Sequence, residues 1–172
     1  METTVFLLSN ALVRGDYSKA YTLLDLLISQ GEKPITILSV LSGAYIDMYR
    51  VRAAIESGKT SRAPAEYGDY KGRDFRLKYA ERDMRDLSLE VLRESIALLL
   101  ECDLSLKLSS GDAMDRIVLE KLFSKLLYAA HRGHVAESRC AMVKIREAIL
   151  VEGRYDKIKL SSLVDAVIVE TN

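Results

Sequence analysis

Four sets of side chains in the first 140 positions of this 172-residue sequence are of types that could do chemistry. His131, His134 and Cys140 form a trio of metal-ligand types. Their spacing fits no established zinc pattern and no fourth ligand is evident, so no metal is expected there. Arg73, Arg76, Lys78, Arg82 and Arg85 interleave with Phe75 and Tyr79, and a basic helix with aromatic neighbours can sit on phosphate. Asp74, Glu81, Asp83 and Asp86 share the same stretch, which leaves little net positive charge, so ordinary surface is expected to dominate. Arg50 and Arg52 are read likewise as a solvated helix face. Asp103 interrupts an apolar stripe, and Lys107 stands one helical turn later. That is the spacing of a structural ion pair on a helix surface, so no catalytic residue is assigned. No Gly-rich phosphate loop ending in Gly-Lys-Ser/Thr occurs, and no nucleotide or other cofactor is expected.

The elements that must position these groups are helices. Val5, Leu8, Leu12 and Val13 give the first its apolar period, which Gly15 and Asp16 end. Asp16 can cap a second helix with Ala20, Leu23, Leu24, Leu27 and Ile28 on its face, stopped by Gln30 and Gly31. Pro34 opens a third, carrying Ile35, Leu38, Leu41, Tyr45, Met48 and Tyr49 and expected to reach Ile55 or Glu56. A short helix near Ala63 to Tyr67 precedes a fourth period from Asp74. The stretch from Leu87 to Leu127 organises the rest: two antiparallel helices joined by the turn Ser109, Ser110, Gly111, Asp112. Ser88 caps the first of them and Glu90 meets its dipole. Leu89, Leu92, Ile96, Leu99 and Leu106 line one face, and Ile117, Leu119, Leu122, Phe123 and Leu126 line the returning one. The expected core includes Leu24, Leu38, Leu41, Leu92, Ile96, Leu99, Leu122 and Leu126.

Composition sets outer limits. Lys and Arg balance Asp and Glu at 25 each, so charge alone gives no global field for nucleic acid, and any such contact would be local. Two cysteines, Cys102 and Cys140, do not make a disulfide framework in a chain of this size, and a reduced, cytoplasmic setting is the simpler reading. No segment approaches the length of a membrane span.

The serine-leucine entry at Ser88 and Leu89, the apolar run, Asp103 with Lys107, the Ser-rich turn and then DRIVLEKL together resemble the C-terminal helical (collar) domain of the delta subunit of the bacterial DNA polymerase III clamp loader. RGDYSKAYTLLDLLISQGEKPITILSVLSGAYIDMYRVRAAIESGK is similar to the same domain, with its Gly turns and Pro start. The resemblance runs from near Phe6 to about Leu127. It implies a helical bundle that is a non-catalytic oligomerisation module in DNA replication. The implied partners are the other clamp-loader subunits, with DNA touched only indirectly or weakly; helix faces left apolar are expected to allow self-pairing as well. In that family the segment around Tyr70 looks basic and tyrosine-containing, which singles out Lys71, Arg73 and Arg76 as candidate nucleic-acid contacts. The complete delta protein of that family also carries two N-terminal domains of nucleotide-binding type, and this chain is read as starting after both.

From Met142 the text changes: MVKIREAILVEGRYDKIKLSSLVDAVIVETN suggests strand, helix and strand. The strand ending in VEGRYD resembles the start of a Toprim-type ribonuclease that matures 5S ribosomal RNA. That resemblance implies a role for Glu152 in metal-dependent phosphodiester chemistry. Such a site also needs a later Asp-x-Asp element, which does not follow, so Glu152 is read as vestigial. The chain is therefore expected to be mainly α: a helical domain over 1–128, a linker over 129–141 and a truncated Toprim-like segment over 142–172, β-α-β-like or disordered. It reads as the end of one gene joined to the start of another, through a deletion, a frameshift or a gene-calling error. The enzymatic alternative is a fragment of a Toprim-type nuclease.

Overall fold

The computed structural model describes residues 2–68, 70–109, 111 and 113–132. Among these residues six α-helices form a bundle: α1 (Glu2–Val13), α2 (Tyr17–Ser29), α3 (Pro34–Glu56), α4 (Asp74–Asp83), α5 (Leu89–Leu108) and α6 (113–132). A 3-10 turn, Ala63–Glu66, interrupts the connection from α3 to α4. No strand occurs among the described residues. The chain divides into two units, Met1–His134 and Val135–Asn172. The second, with the Toprim-like segment and Glu152, lies outside the described residues, as do His134 and Cys140.

Local chemistry sets the helix starts. The Asp16 carboxylate accepts the Lys19 backbone N–H at 3.0 Å, and the Ser88 hydroxyl accepts that of Val91 at 3.2 Å. Each satisfies a donor that a helix N-terminus leaves open. Pro34 occupies the first turn of α3, where its missing N–H removes no helical bond.

α3 is the hub. It packs against α1, α4, α5 and the 3-10 turn, while α1 also packs on α2. Ile37, Leu38, Leu41, Ala44, Tyr45, Met48 and Val51 are buried along it. The hairpin of α5 and α6 closes the bundle: Phe123 is fully buried, with the Tyr21 ring of α2 edge-on at 6.1 Å. Tyr21 Oη also donates to the Glu120 carbonyl at 3.3 Å.

Seven of the eight expected core residues are buried; Ile96 is only partly so, packed against the rim of the core. Ile117 departs further, at 55% exposed, because it falls on the outer row of α6 while Leu119, Leu122, Phe123 and Leu126 occupy the inner one. Helicity also runs through 132, past the expected boundary at 128, since Ala129 and Ala130 still bury against the bundle. The remainder of the expected linker, 133–141, lies outside the described residues.

Candidate interaction surfaces

A carboxylate on the buried side of α3 organises the region where the basic residues lie. Asp47 is 0% exposed. A buried charge persists only when paired and hydrogen-bonded, and side chains from two positions, 70 and 76, engage this one. Tyr70 Oη donates to Asp47 Oδ1 at 2.6 Å, Arg76 Nε donates to Oδ2 at 2.8 Å, and Arg76 Nη2 lies 2.7 Å from the same oxygen. Arg50 Nη1 in turn donates to Tyr70 Oη at 3.0 Å. Burial pushes the Tyr70 phenol up, with the bond to Asp47 adding to the effect. Two glycines make the room. A Cβ at Gly68 would meet the Tyr70 ring at 2.6 Å, and one at Gly43 would meet Arg76 Nη2 at 3.2 Å.

A second buried carboxylate, Asp83, ties α4 to α1. Asn10 Nδ2 donates to it at 2.7 Å, and Arg82 reaches both oxygens, at 2.6 and 3.0 Å. Beside it Phe6, Phe75 and Tyr79 form an aromatic cluster with ring centroids 5.1 to 6.0 Å apart, and the Arg82 guanidinium sits 5.0 Å from the Tyr79 centroid.

The residues singled out from sequence therefore divide. Arg76 is turned inward onto Asp47, whereas Lys71 and Arg73 are exposed in the connection between the 3-10 turn and α4. Arg50 joins the Asp47 network, and Arg52 Nε pairs with Glu56 at 2.9 Å. Lys107 Nζ lies 2.5 Å from Asp103 Oδ2 on the exposed side of α5. His131 sits exposed at the end of α6. A cleft between the 3-10 turn and α4 is lined by Ser61, Arg62, Asp74, Leu77, Lys78 and Glu81; its two cations face two acids, so it offers no net charge to a ligand. Cys102 is buried in α5, which pushes its thiol up to about 11 and keeps it protonated. Among the described residues no three His, Cys, Asp or Glu side chains converge as metal ligands, and no helix is long and apolar enough to cross a membrane.

Sequence reasoning missed Asp47. A signal was present: position 47 lies among the buried 44, 45, 48 and 51 of α3, and a carboxylate on such a face demands a cation from another element.

Among curated proteins no sequence matches. A structural match is the Bacillus subtilis DNA clamp loader delta protein (YqeN), at a TM-score of 0.65 and 27% identity, covering 74% of this chain. The chain spans about a third of the length of that protein, 36%. The family model described as DNA polymerase III delta subunit, C-terminal domain, matches residues 2–126, from the start of α1 into the last turns of α6. The chain thus belongs to this family of clamp-loader delta C-terminal domains.

Proposed function

We propose that the bundle is a non-catalytic docking module of a bacterial clamp loader, acting in DNA replication by holding its chain against the other clamp-loader subunits in the cytoplasm. The observation that carries this reading is the family match over 2–126, from α1 into α6. The side-chain chemistry agrees with it. The two buried carboxylates, Asp47 and Asp83, are engaged in ties between helices. Association needs complementary faces and no perturbed acid or base. The test is co-sedimentation of the full chain with each of the other clamp-loader subunits. Stable capture of at least one is expected, and capture of none overturns the reading; self-association is the competing result.

Within this role we propose Lys71 and Arg73 as the phosphate contacts, a reading supported by their exposure and by the engagement of Arg76 with Asp47. Two phosphate contacts make a weak, salt-sensitive interaction. Lys71→Glu with Arg73→Glu is expected to abolish any retention on duplex DNA at low salt while leaving the melting midpoint unchanged. Retention that survives the double variant excludes these residues.

The Toprim-like reading of 142–172 rests on the sequence of that run, VEGRYD above all, and the family match ends at 126, well before Glu152. No cleavage of structured RNA or supercoiled DNA is expected with millimolar Mg²⁺. Cleavage that disappears in Glu152→Gln would establish the nuclease alternative.

A further inference from the structure

α5 presents to solvent a row that its own core does not use. Leu100, Leu104 and Leu108 recur every four residues and are 60%, 55% and 87% exposed. α6 runs antiparallel beside α5, held along the seam by Lys125 Nζ on Glu101 at 2.8 Å and by an ion pair between Arg132 and Glu94. Its outer row carries Ile117, Lys121, Ser124 and Tyr128, all exposed, with Met114 at its start. The seam residues 101 and 125 border both rows, so the rows join into one face. Six large apolar side chains therefore share this face with Lys121. That is more apolar surface than isolated exposed residues supply, and such patches mark interaction sites.

Lys121 decides what can cover this face. Among the described residues no ion pair engages it. Glu101 is already held by Lys125, whose hydrogen bond keeps that carboxyl below its ordinary range, Lys121 contributing less. Asp103 is held by Lys107. A second copy docked about a two-fold axis through the face would bring Lys121 towards its own equivalent, with no unengaged carboxylate among the described residues of the face to receive it. A cation at the centre of an apolar face is matched by a partner that supplies the acid.

We infer that the outer face of α5 and α6 receives a helix of another clamp-loader subunit, presenting an apolar row with a carboxylate opposite Lys121. The inference rests on the docking role proposed above and adds the face and the chemistry of its partner. The experiment titrates the full chain against the other clamp-loader subunits by sedimentation velocity, comparing Leu104→Ser, Lys121→Glu and Lys121→Met, with Leu7→Ser on α1 as an exposed apolar control. Leu104→Ser and Lys121→Glu should each weaken binding by about tenfold or more. Lys121→Met, which keeps the aliphatic stem, should weaken it less, and Leu7→Ser should not change it. All three positions are exposed, so thermal unfolding should stay as in the parent chain. Parent-like binding by Leu104→Ser and Lys121→Glu overturns the face and leaves the docking role standing. A parent chain that binds no other clamp-loader protein overturns the docking role and this partner with it. A parent chain that self-associates through Leu104 overturns the heterologous partner in favour of a second copy.

Discussion

Replacing Arg76 by Met should lower the unfolding free energy by about 3 kcal/mol, within the range found when one partner of a buried ion pair is removed. The loss arises less from the missing attraction than from what stays behind. Asp47 is fully buried and keeps only the Tyr70 hydroxyl at 2.6 Å, too little to replace the solvation it gave up. Asp47→Asn in the same chain should therefore restore more than half of the loss, because a neutral amide no longer needs a cation. Urea titrations of both single variants and the double variant measure this coupling. Additive losses would show that Arg76 acts through packing alone.

The second large effect lies at the other side of the bundle. Phe123→Ala should cost about 3 to 5 kcal/mol, as large-to-small changes of a fully buried aromatic do. Phe123 is fully buried and stacks edge-on with Tyr21, so its removal leaves a cavity where α6 meets α2. Tyr21→Phe keeps that ring contact and removes only the hydroxyl bonds to Ser124 and the Glu120 carbonyl. It should cost about 1 kcal/mol or less, the net worth of a part-exposed hydrogen bond. Guanidinium unfolding of the two variants separates the apolar from the polar contribution. A Phe123→Ala loss below about 1 kcal/mol would mean that α6 can close over the gap.

What the sequence makes legible follows interaction range. Asp16, Pro34 and Ser88 announce helix starts because a cap acts within three residues of itself. The inner rows of α5 and α6 announce burial because helical periodicity is local. Ile117 shows the limit of that signal: an apolar position on a helix is equally suited to a core and to a surface that another chain will cover, and periodicity does not distinguish them. The Asp47 network was illegible for a different reason. Tyr70 and Arg76 come from 23 and 29 residues away, so no spacing rule connects them. Arg76, read in sequence as one of several cations on a basic helix, differs from Lys71 and Arg73 only in where the backbone points it.

Gly43 places a condition on how this sequence can vary. A glycine inside a helix is less favourable than alanine by about 1 kcal/mol, so the 23-residue α3 carries a residue that helix propensity disfavours. The compensation is the guanidinium beside it: an added methyl would stand 3.2 Å from Arg76 Nη2, the atom that meets Asp47 at 2.7 Å. Gly43→Ala consequently has no fixed sign. With Arg76 in place it sets helix propensity against the ion pair; once Arg76 has been lost, the same substitution strengthens α3. Residues 43 and 76 are epistatic, and a lineage that loses the arginine also loses its reason to keep the glycine.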